Sequence, residues 1–495
     1  MYLWYNIIYR MYKLAQTKII WRQKMDVKKI ISDYIEENGD RLARVSDEIW
    51  GYAEVGMREF KSSKALIDEL KKEGFEVEEG VADMPTAFIG TYGSGHPVIS
   101  FLGEFDALPG VSQKAGCNVK TQENPESYGH GCGHHLLGVG ALGAAFALKN
   151  YFEKNNIPGT VKYFGCPGEE NGSGKVFLAR TGRFDDTDAC FTWHPGTFNA
   201  VWTNGSLANY SIYFNFHGKT AHAAGAPHLG RSALDAVELM SVGVNYLREH
   251  IIPEARIHYA YRDAGGIAPN VVQDRATVHY YVRAPKVSLL MPIVERVKDI
   301  AKGAALMTGT TFDTQVIKAV SDFVPNIELS KVLQRAMEDI GAPNYDEKDM
   351  ETAKYFDEVL SDEDRENAIR NYKRSHPQSE VPVGPLHNFI TPFNINPMPG
   401  SGTTDVGDAS QTTPTAQCNM ATQIIGTPGH HWHITGQGKT TYAHKAMLTV
   451  AKVMALAGAY AAADEDLLKR ARAEFIETTG GKYNCPLPMD VPPLK

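Results

Sequence analysis

The chain has 495 residues, of which 43% are hydrophobic and 22% are charged, as is ordinary for a globular protein. Its length exceeds what one ordinary hydrophobic core supports, so two domains, or one domain with an insertion, are expected. The formal net charge of −8 leaves no basic surplus to neutralise phosphates, which argues against a nucleic-acid partner. Six scattered cysteines do not form a disulfide framework, and they favour a reducing, cytoplasmic setting.

The first 24 residues are rich in apolar and basic residues and contain no acid. Arg10 and Lys13 interrupt the apolar runs, so the segment is too broken for a membrane span, and no membrane partner is expected. A helix lying on a membrane surface is the alternative. We predict that residues 1–25 form an N-terminal extension, disordered or peripheral, and that the folded protein begins near Met25.

Residues 26–205 alternate between helical and strand patterns. Apolar residues recur at helical spacing over residues 26–50 and 58–72, and a helix of small residues is predicted over 136–148. Short strands are predicted at residues 75–81, 86–91, 97–101, 160–166 and 189–193. This alternation predicts the first part of an α/β catalytic, metal-binding domain, with a mostly parallel central sheet flanked by helices.

Residues 206–325 show a different order of elements. Strands are predicted at residues 210–216, 256–261, 271–282 and 310–316, and helices at 231–250 and 289–306. The order β-α-β-β-α-β predicts a smaller, ferredoxin-like α+β domain that interrupts the first one. Residues 326–495 then supply the second part of the catalytic domain, and their charge-dense stretch 346–373 is interpreted as a solvated helical excursion.

The segment 129–135, Gly-His-Gly-Cys-Gly-His-His, holds one thiol and three imidazoles in seven residues. Its glycines allow the backbone to turn tightly around whatever the side chains bind. The small-residue helix that follows can pack closely on a sheet and would hold this loop firmly, as a metal site requires of its ligands. A flexible loop of glycine and histidine is the alternative.

Three successive predicted strands end in polar side chains. Glu104 and Asp106 follow the strand at 97–101, Glu169 and Glu170 follow the strand at 160–166, and His194 follows the strand at 189–193. Functional sites of α/β sheets lie at the carboxyl ends of their strands. An adjacent pair of glutamates on a tight turn can direct one carboxylate at a metal and keep the other free as a general base.

Further donors accompany these strand ends. Cys132 and His134 form a Cys-x-His pair, and the C-terminal segment offers His430, His431 and His433. A single histidine after a strand is more often a hydrogen-bonded structural residue than a ligand. The joint occurrence of thiol, imidazole and carboxylate favours a metal site, with zinc as the ion and manganese as its competitor.

Eight segments resemble the amidohydrolase branch of the aminoacylase and carboxypeptidase-G family of co-catalytic metallopeptidases. They are EFDALPG (104–110), GHGCGHH (129–135), GCPGEENGSGK (165–175), TWHPG (192–196), HGKTAHAAGAPHLGRSALDA (217–236), GGIAPNVVQDRA (265–276), TTDVGD (403–408) and GTPGHHW (426–432). The resemblance covers nearly everything from residue 26 to residue 462. It implies two divalent metal ions, Zn²⁺ ahead of Mn²⁺, and a lid and dimerisation role for residues 206–325.

The resemblance also implies a role for individual residues. The implied metal ligands are Cys132, His134, Glu170, His194 and His430, and the implied catalytic residues are Glu169, as general base, and His222, which would reach a neighbouring active site across the family's dimer. Asn270 and Arg283 match the family's substrate-binding residues. His135 stands where many relatives carry Asp or Asn, so it either competes as a ligand or braces the site.

The implied activity is hydrolysis of the amide bond in N-acyl or aroyl amino acids, aminobenzoyl-glutamate among them, by a metal-activated water with Glu169 as base. A dipeptidase or an N-acyl amino-acid deacylase with the same residues is the first alternative. A non-catalytic binding subunit is the second, although the presence of Glu169 argues against it. The implied partners are a small-molecule amide or dipeptide and a second copy of the chain, with a related second subunit as a further option.

Overall fold

The structure, a computed structural model, describes residues 2–396, 400 and 402–494, with side chains described from Val27 onward. The first part of the chain forms α1 (Tyr2–Tyr52), α2 (Phe60–Lys72), β1 (Glu76–Glu79), β2 (Phe88–Ser94), β3 (Val98–Gly103), α3 (His134–Asn155), β4 (Gly159–Gly165), α4 (Gly174–Arg180), β5 (Ala189–Gly196) and β6 (Ala200–Trp202). The prediction that residues 1–25 are a peripheral extension concerns side chains outside this description, so it stays a prediction.

The middle of the chain forms β7 (Ala208–His217), α5 (Ala233–Leu247), β8 (Arg256–Asp263), β9 (Arg275–Ala284), α6 (Val287–Thr308) and β10 (Thr311–Val320). The remainder forms α7 (Ile327–Ile340), α8 (Glu347–Asp357), α9 (Asp362–Ser375), α10 (Val406–Ser410), β11 (Thr415–Ala421), α11 (Trp432–Gln437), α12 (Thr441–Ala462) and α13 (Glu465–Thr479). The predicted strands before residue 206 are all present with shifted ends, while β6 and β11 have no counterpart among the predictions.

The larger sheet has seven strands in the order β1-β2-β4-β3-β5-β11-β6. Its four central strands, β4, β3, β5 and β11, are parallel, and β1, β2 and β6 join antiparallel at the two ends. All six residues of β3 are buried, as expected for a central parallel strand covered on both faces. The predicted α/β fold with a mostly parallel central sheet flanked by helices is therefore confirmed.

Helix α3 lies very close to this sheet because two of its residues lack side chains at the contact. A Cβ on Gly138 would lie 2.6 Å from the carbonyl oxygen of Glu104, and a Cβ on Gly140 would lie 2.8 Å from the Trp193 ring. Any larger residue would push the helix away from the ends of β3 and β5. The close approach places His134, the first residue of α3, beside those strand ends.

Helix α12 packs against α3 and α1 on the same side of the sheet. Among the described residues it is the one helix long and apolar enough to cross a membrane. However, 67% of its most apolar window is buried inside the protein, as in the core helix of a globular fold.

The second sheet has four strands in the order β10-β7-β9-β8, all antiparallel. Helices α5 and α6 pack against its central strands β7 and β9. The elements follow one another in the predicted order β-α-β-β-α-β. This unit is connected to β6 by residues 203–207 and to α7 by residues 321–326. A β-bulge in β10 between Val316 and Lys318 lies just before the second connection.

Candidate metal centre

The polar side chains at the ends of β3, β4 and β5 converge on one region, as predicted. β3 and β4 end at Gly103 and Gly165, and Glu104, Glu169 and Glu170 follow them within a few residues. The third strand differs from the prediction, because β5 continues to Gly196 and His194 lies within it. Strand register explains the convergence, since Gly103 pairs with Gly165 at the shared edge.

All five predicted ligands and the predicted general base come together there. Three sets of side chains each have donor atoms within 4.8 Å of one another: Cys132, His134 and His194; Cys132, Glu170 and His430; and Glu104, His134 and Glu169. The Cys132 Sγ lies 3.4 Å from the His194 Nε2. The sets share Cys132 and His134, so the donors form one continuous cluster.

Asp106 orients two members of this cluster, a role that the sequence analysis did not assign to it. It is fully buried, its Oδ1 lies 2.8 Å from the His134 Nδ1, and its Oδ2 accepts the backbone N–H of Glu170 at 3.0 Å. Burial alone would raise the pKa of Asp106, but the His134 imidazole outweighs burial and lowers it. Asp106 thus fixes the His134 Nδ1 as a donor. Burial opposes protonation of His134, but the charges of Cys132, Asp106 and Glu104 raise its pKa well above the usual value. Ligation of a metal ion through Nε2 would require the proton there to leave.

The turn that carries the glutamate pair is held from two sides. Glu59, a buried residue, accepts the backbone N–H of Gly168 at 2.8 Å, and burial raises its pKa to about 8, with the charge of Asp106 adding to the effect. Lys318 of β10 donates from Nζ to the carbonyl oxygen of Glu169 at 2.8 Å. The second sheet therefore contacts the turn that positions Glu169 and Glu170.

A buried lysine connects the cluster to the C-terminal part of the chain. The Lys175 Nζ lies 2.7 Å from the Glu104 Oε1 and 2.6 Å from the Asp405 Oδ1, and all three side chains are buried. The second oxygen of Glu104 faces the His134 Nε2 at 3.2 Å. Lys175 thus neutralises Glu104, a member of the cluster. The sequence analysis placed neither Lys175 nor Asp405 in the site.

The remaining charges and unpaired atoms suit a cation. The buried His134 Nε2, Glu170 Oε1 and Glu104 Oε2 make no hydrogen bond, although the His134 Nε2 lies 3.2 Å from the Glu104 Oε2 and the Glu170 Oε1 lies 3.4 Å from the His430 Nε2. Burial and the adjacent Glu169 raise the pKa of Glu170 to about 8, and burial raises the pKa of the Cys132 thiol to about 12. Unpaired buried acceptors and disfavoured negative charges are both relieved by a bound metal ion, so these residues fit one.

The structure places the other candidate histidines away from the cluster. The His135 Nε2 lies 3.1 Å from the carbonyl oxygen of Gly438, and the His135 ring packs beside His130 rather than near the predicted ligands. His431 caps α11, and His433 is buried against Phe356. Of the three C-terminal histidines, only His430 belongs to a donor set within the described part of the chain.

The predicted catalytic residue His222 and the predicted substrate-binding residues Asn270 and Arg283 occupy two different places. His222 and Asn270 lie together on exposed loops of the second unit, where the Ala223 N–H bonds to the Asn270 carbonyl oxygen at 3.0 Å. Arg283 lies on β9 and donates from Nη1 to the Thr403 hydroxyl at 3.0 Å, while its buried Nε has no partner. Thr403 lines the cavity beside the cluster, whereas Arg283, His222 and Asn270 do not line it.

This cavity has a volume of about 590 Å³, within the usual range for a small-molecule site. One wall carries members of the donor cluster, namely Cys132, Glu169, Glu170, His194 and His430. Other walls carry aromatic and polar side chains that include Phe198, Trp202, Asn371, Tyr372 and His376. Asn371 and Tyr372 belong to the last turn of α9, and His376 follows this helix. The interpretation of residues 346–373 as a solvated excursion is therefore wrong for the last turn of α9, where Tyr372 is buried.

A mostly parallel α/β sheet with thiol, imidazole and carboxylate donors at its strand ends is the arrangement expected of a metal-dependent hydrolase. Residues 101–378 match Peptidase family M20/M25/M40, and the chain belongs to this family. The resemblance drawn from the sequence motifs is thereby confirmed. The chain is an amide hydrolase.

The chain is similar to two curated relatives over different shares of its length. The chain is 42% identical over 475 residues to one of the subunits of the p-aminobenzoyl-glutamate hydrolase of Escherichia coli (strain K12), with 94% of this chain and 99% of the relative covered. It is 30% identical over 306 residues to the Xaa-Arg dipeptidase of Mus musculus, with 58% of this chain and 65% of the relative covered.

A solved structure confirms the fold. A dinuclear metal binding peptidase of the M20 family from Bacillus subtilis superimposes with a TM-score of 0.58 at 16% sequence identity. The superposition covers 86% of this chain and 98% of that protein.

We expect Lys175→Met to destabilise the protein strongly. The substitution leaves Glu104 and Asp405 buried without their cation, and breaking a buried ion pair in this way costs about 3–5 kcal/mol. Denaturant unfolding of the chelator-treated proteins at pH 7 measures the change. Lys302→Met, which removes an exposed ion pair with Asp299, is the control and should unfold like the wild type. Equal stability of all three proteins would contradict the importance of the buried pair.

Proposed function

We propose that this chain hydrolyses the amide bond of N-aroyl and N-acyl amino acids, with aminobenzoyl-glutamate or a similar compound as its substrate. The observation that carries the proposal is the donor cluster with Glu169 on one wall of a cavity large enough for such a molecule. The name of the Escherichia coli relative supports this substrate class. A dipeptidase or deacylase activity is the alternative, supported by the likeness to the Xaa-Arg dipeptidase.

Two divalent ions, Zn²⁺ ahead of Mn²⁺, would be held by Cys132, His134, Glu170, His194 and His430. The dinuclear character of the Bacillus subtilis peptidase supports the number, and the cysteine supports zinc. When bound, such ions lower the pKa of a water and polarise a carbonyl oxygen.

Glu169 is the proposed general base. Its carboxylate lines the cavity next to the donor cluster, so it can take the proton of the attacking water and pass it to the leaving nitrogen. Lys318 holds the backbone of this residue, and Asp106 holds the backbone of the next one. Both contacts fix the direction of the Glu169 carboxylate, which proton transfer requires.

Arg283 is proposed to bind the carboxylate of the amino-acid half of the substrate. Its Nη1 reaches Thr403 in the cavity wall, and the buried Nε retains an unused donor. An unpaired guanidinium donor in a half-buried position favours a carboxylate partner, which it can bind through two parallel hydrogen bonds.

His222 is proposed to act in the active site of the other protomer of a homodimer. Its Nδ1 accepts the N–H groups of Ala224 at 3.2 Å and Gly225 at 3.0 Å, so in the neutral ring the proton lies on the exposed Nε2. That N–H is suited to donate to a substrate carbonyl. Asn270 lies beside it, and the neighbouring Ile267 is fully exposed, as expected of a tip that enters another molecule.

The surface of the second unit supports this assembly, with residues 206–325 as a lid and dimerisation domain between the two parts of the catalytic domain. β8 is an edge strand with exposed Tyr259 and Tyr261, and α5 exposes Leu239, Val242 and Tyr246 at helical spacing. Exposed apolar stripes and open strand edges commonly mark subunit contacts. Because the Escherichia coli relative is itself one subunit of a hydrolase, pairing with a related subunit is the alternative.

Six free cysteines support a cytoplasmic location.

We expect Glu169→Gln to keep its metal and to lose turnover by about 10²–10⁴-fold, because the amide cannot accept a proton. The measurement is hydrolysis of aroyl-glutamates, acyl amino acids and dipeptides by metal-reconstituted protein, with metal content determined in parallel. Glu363→Gln, at the exposed start of α9, is the control and should keep full activity. Absence of cleavage by the wild type on every substrate, with metal bound, would contradict the proposed function.

The dimer proposal predicts complementation between two inactive variants. His222→Ala and Glu169→Gln are each expected to be inactive alone, because each lacks one group of the complete site. Refolded together, they should regain about a quarter of the wild-type activity, since half of the dimers carry one intact site of two. If activity is not restored although mixed dimers form, His222 acts within its own protomer or not at all.

A further inference from the structure

Part of the cavity lining is formed by aromatic side chains outside the donor cluster. Phe198, Tyr372 and His376 line it, and we call these three residues the aromatic wall. Phe198 follows His194 by four residues, so the wall and a predicted ligand extend from the same strand end. Tyr372 and His376 belong to the end of α9 and the residue after it.

The rings of the aromatic wall pack on one another and are preformed. The rings of Phe198 and Tyr372 are stacked with centroids 4.3 Å apart and an interplanar angle of 25°, and the His376 ring lies 5.2 Å from that of Tyr372. The Tyr372 hydroxyl is fixed by the hydroxyls of Ser379 at 2.5 Å and Thr391 at 3.0 Å. Because the middle ring is held in this way, binding costs little side-chain ordering.

The wall is also uncharged. Burial lowers the pKa of His376, and burial lowers the pKa of the neighbouring His387 to about 3. Both imidazoles are therefore neutral at pH 7, and Phe198 and Tyr372 add only aromatic surface. A charged group gains nothing from this surface, whereas a planar apolar ring gains stacking and burial. Positive charges near the cavity are on Arg283, which donates to Thr403, and on Lys318, which donates to the carbonyl oxygen of Glu169.

The cavity lining thus offers two kinds of surface, the uncharged aromatic wall and the region of Thr403, to which Arg283 donates a hydrogen bond. We propose that the aromatic wall is the subsite for a planar aromatic acyl group, and that it selects aroyl over small acyl substrates. This inference rests on the proposed function, because it places the scissile amide between the wall and Arg283, next to Glu169. Stacking against an exposed ring of the wall adds to the free energy gained by the burial of apolar area.

The test compares two substrates that share one leaving group, 4-aminobenzoyl-glutamate and acetyl-glutamate. The wild type should prefer the aroyl compound. Phe198→Leu and, separately, His376→Leu should lower kcat/KM for the aroyl compound by about 10- to 100-fold and change that for acetyl-glutamate by less than about 3-fold. Metal content and thermal unfolding are measured for each variant to show that it is folded and loaded.

Phe389→Leu is the matched control. Phe389 packs on His387 with ring centroids 4.1 Å apart, yet it does not line the cavity. The substitution removes an aromatic ring from the same cluster, so it should leave the preference between the two substrates unchanged. If the preference changes equally in all three variants, or in none, the wall does not select the acyl group and the inference is overturned.

A binding measurement distinguishes failure of the proposed function from failure of the inference about the aromatic wall. If the wild type cleaves neither substrate, the proposed function fails, and the wall is tested by calorimetry with 4-aminobenzoate, benzoate and acetate. The inference then predicts that both aromatic acids bind more tightly than acetate and that Phe198→Leu weakens their binding by about 10-fold or more. Equal binding of the three acids by the wild type would overturn it.

Discussion

Several acids and a thiol are buried together at the carboxyl ends of β3, β4 and β5, and this burial of negative charge is the constraint on which the rest of the structure depends. Ionised groups do not remain buried without a partner, because the loss of hydration costs several kcal/mol per ion. Lys175 partners Glu104, and Asp106 is partnered by His134. For Cys132 burial, and for Glu170 burial together with the charge of Glu169, outweighs the effect of the nearby His134, so the pKa values of both groups are raised.

The surrounding elements can be understood as supports of this cluster. The glycines of α3 let that helix approach the sheet closely enough to place His134 among the strand ends. Glu59 and Lys318 hold the turn with the two glutamates from opposite units of the fold. Lys318 lies on β10, which belongs to the second unit. A movement of that unit would therefore shift the Lys318 contact with the backbone of Glu169.

Much of the fold and cluster could be predicted from sequence because the signals are local. Strand patterns, the Cys132-x-His134 pair and the glutamate pair each occupy a few consecutive residues. β11 was missed because Gln417 and Asn419 interrupt its apolar run, although it is a buried strand. The ion pair of Lys175 with Asp405 joins residues 230 positions apart, and no local pattern indicates such a contact. The position of His135, against Gly438, depends on three-dimensional packing in the same way.

The excursion around α9 shows a different limit of sequence reasoning. Its first turn is acidic, and Asp362 and Glu363 are exposed there, so the charge density did indicate solvent. Its last turn nevertheless buries Tyr372 and lines the cavity. Composition averaged over a helix conceals such a division between its two ends, because one buried aromatic residue changes the average little.

The most direct test of the account is the number of zinc ions bound per chain, measured by elemental mass spectrometry after reconstitution and dialysis. The account predicts about two ions in the wild type and a clear loss in Cys132→Ala, because this residue belongs to two of the three donor sets. Cys418→Ala, a buried cysteine of β11 outside those sets, should bind as many ions as the wild type. A wild-type protein without bound metal, or undiminished binding in Cys132→Ala, would contradict it.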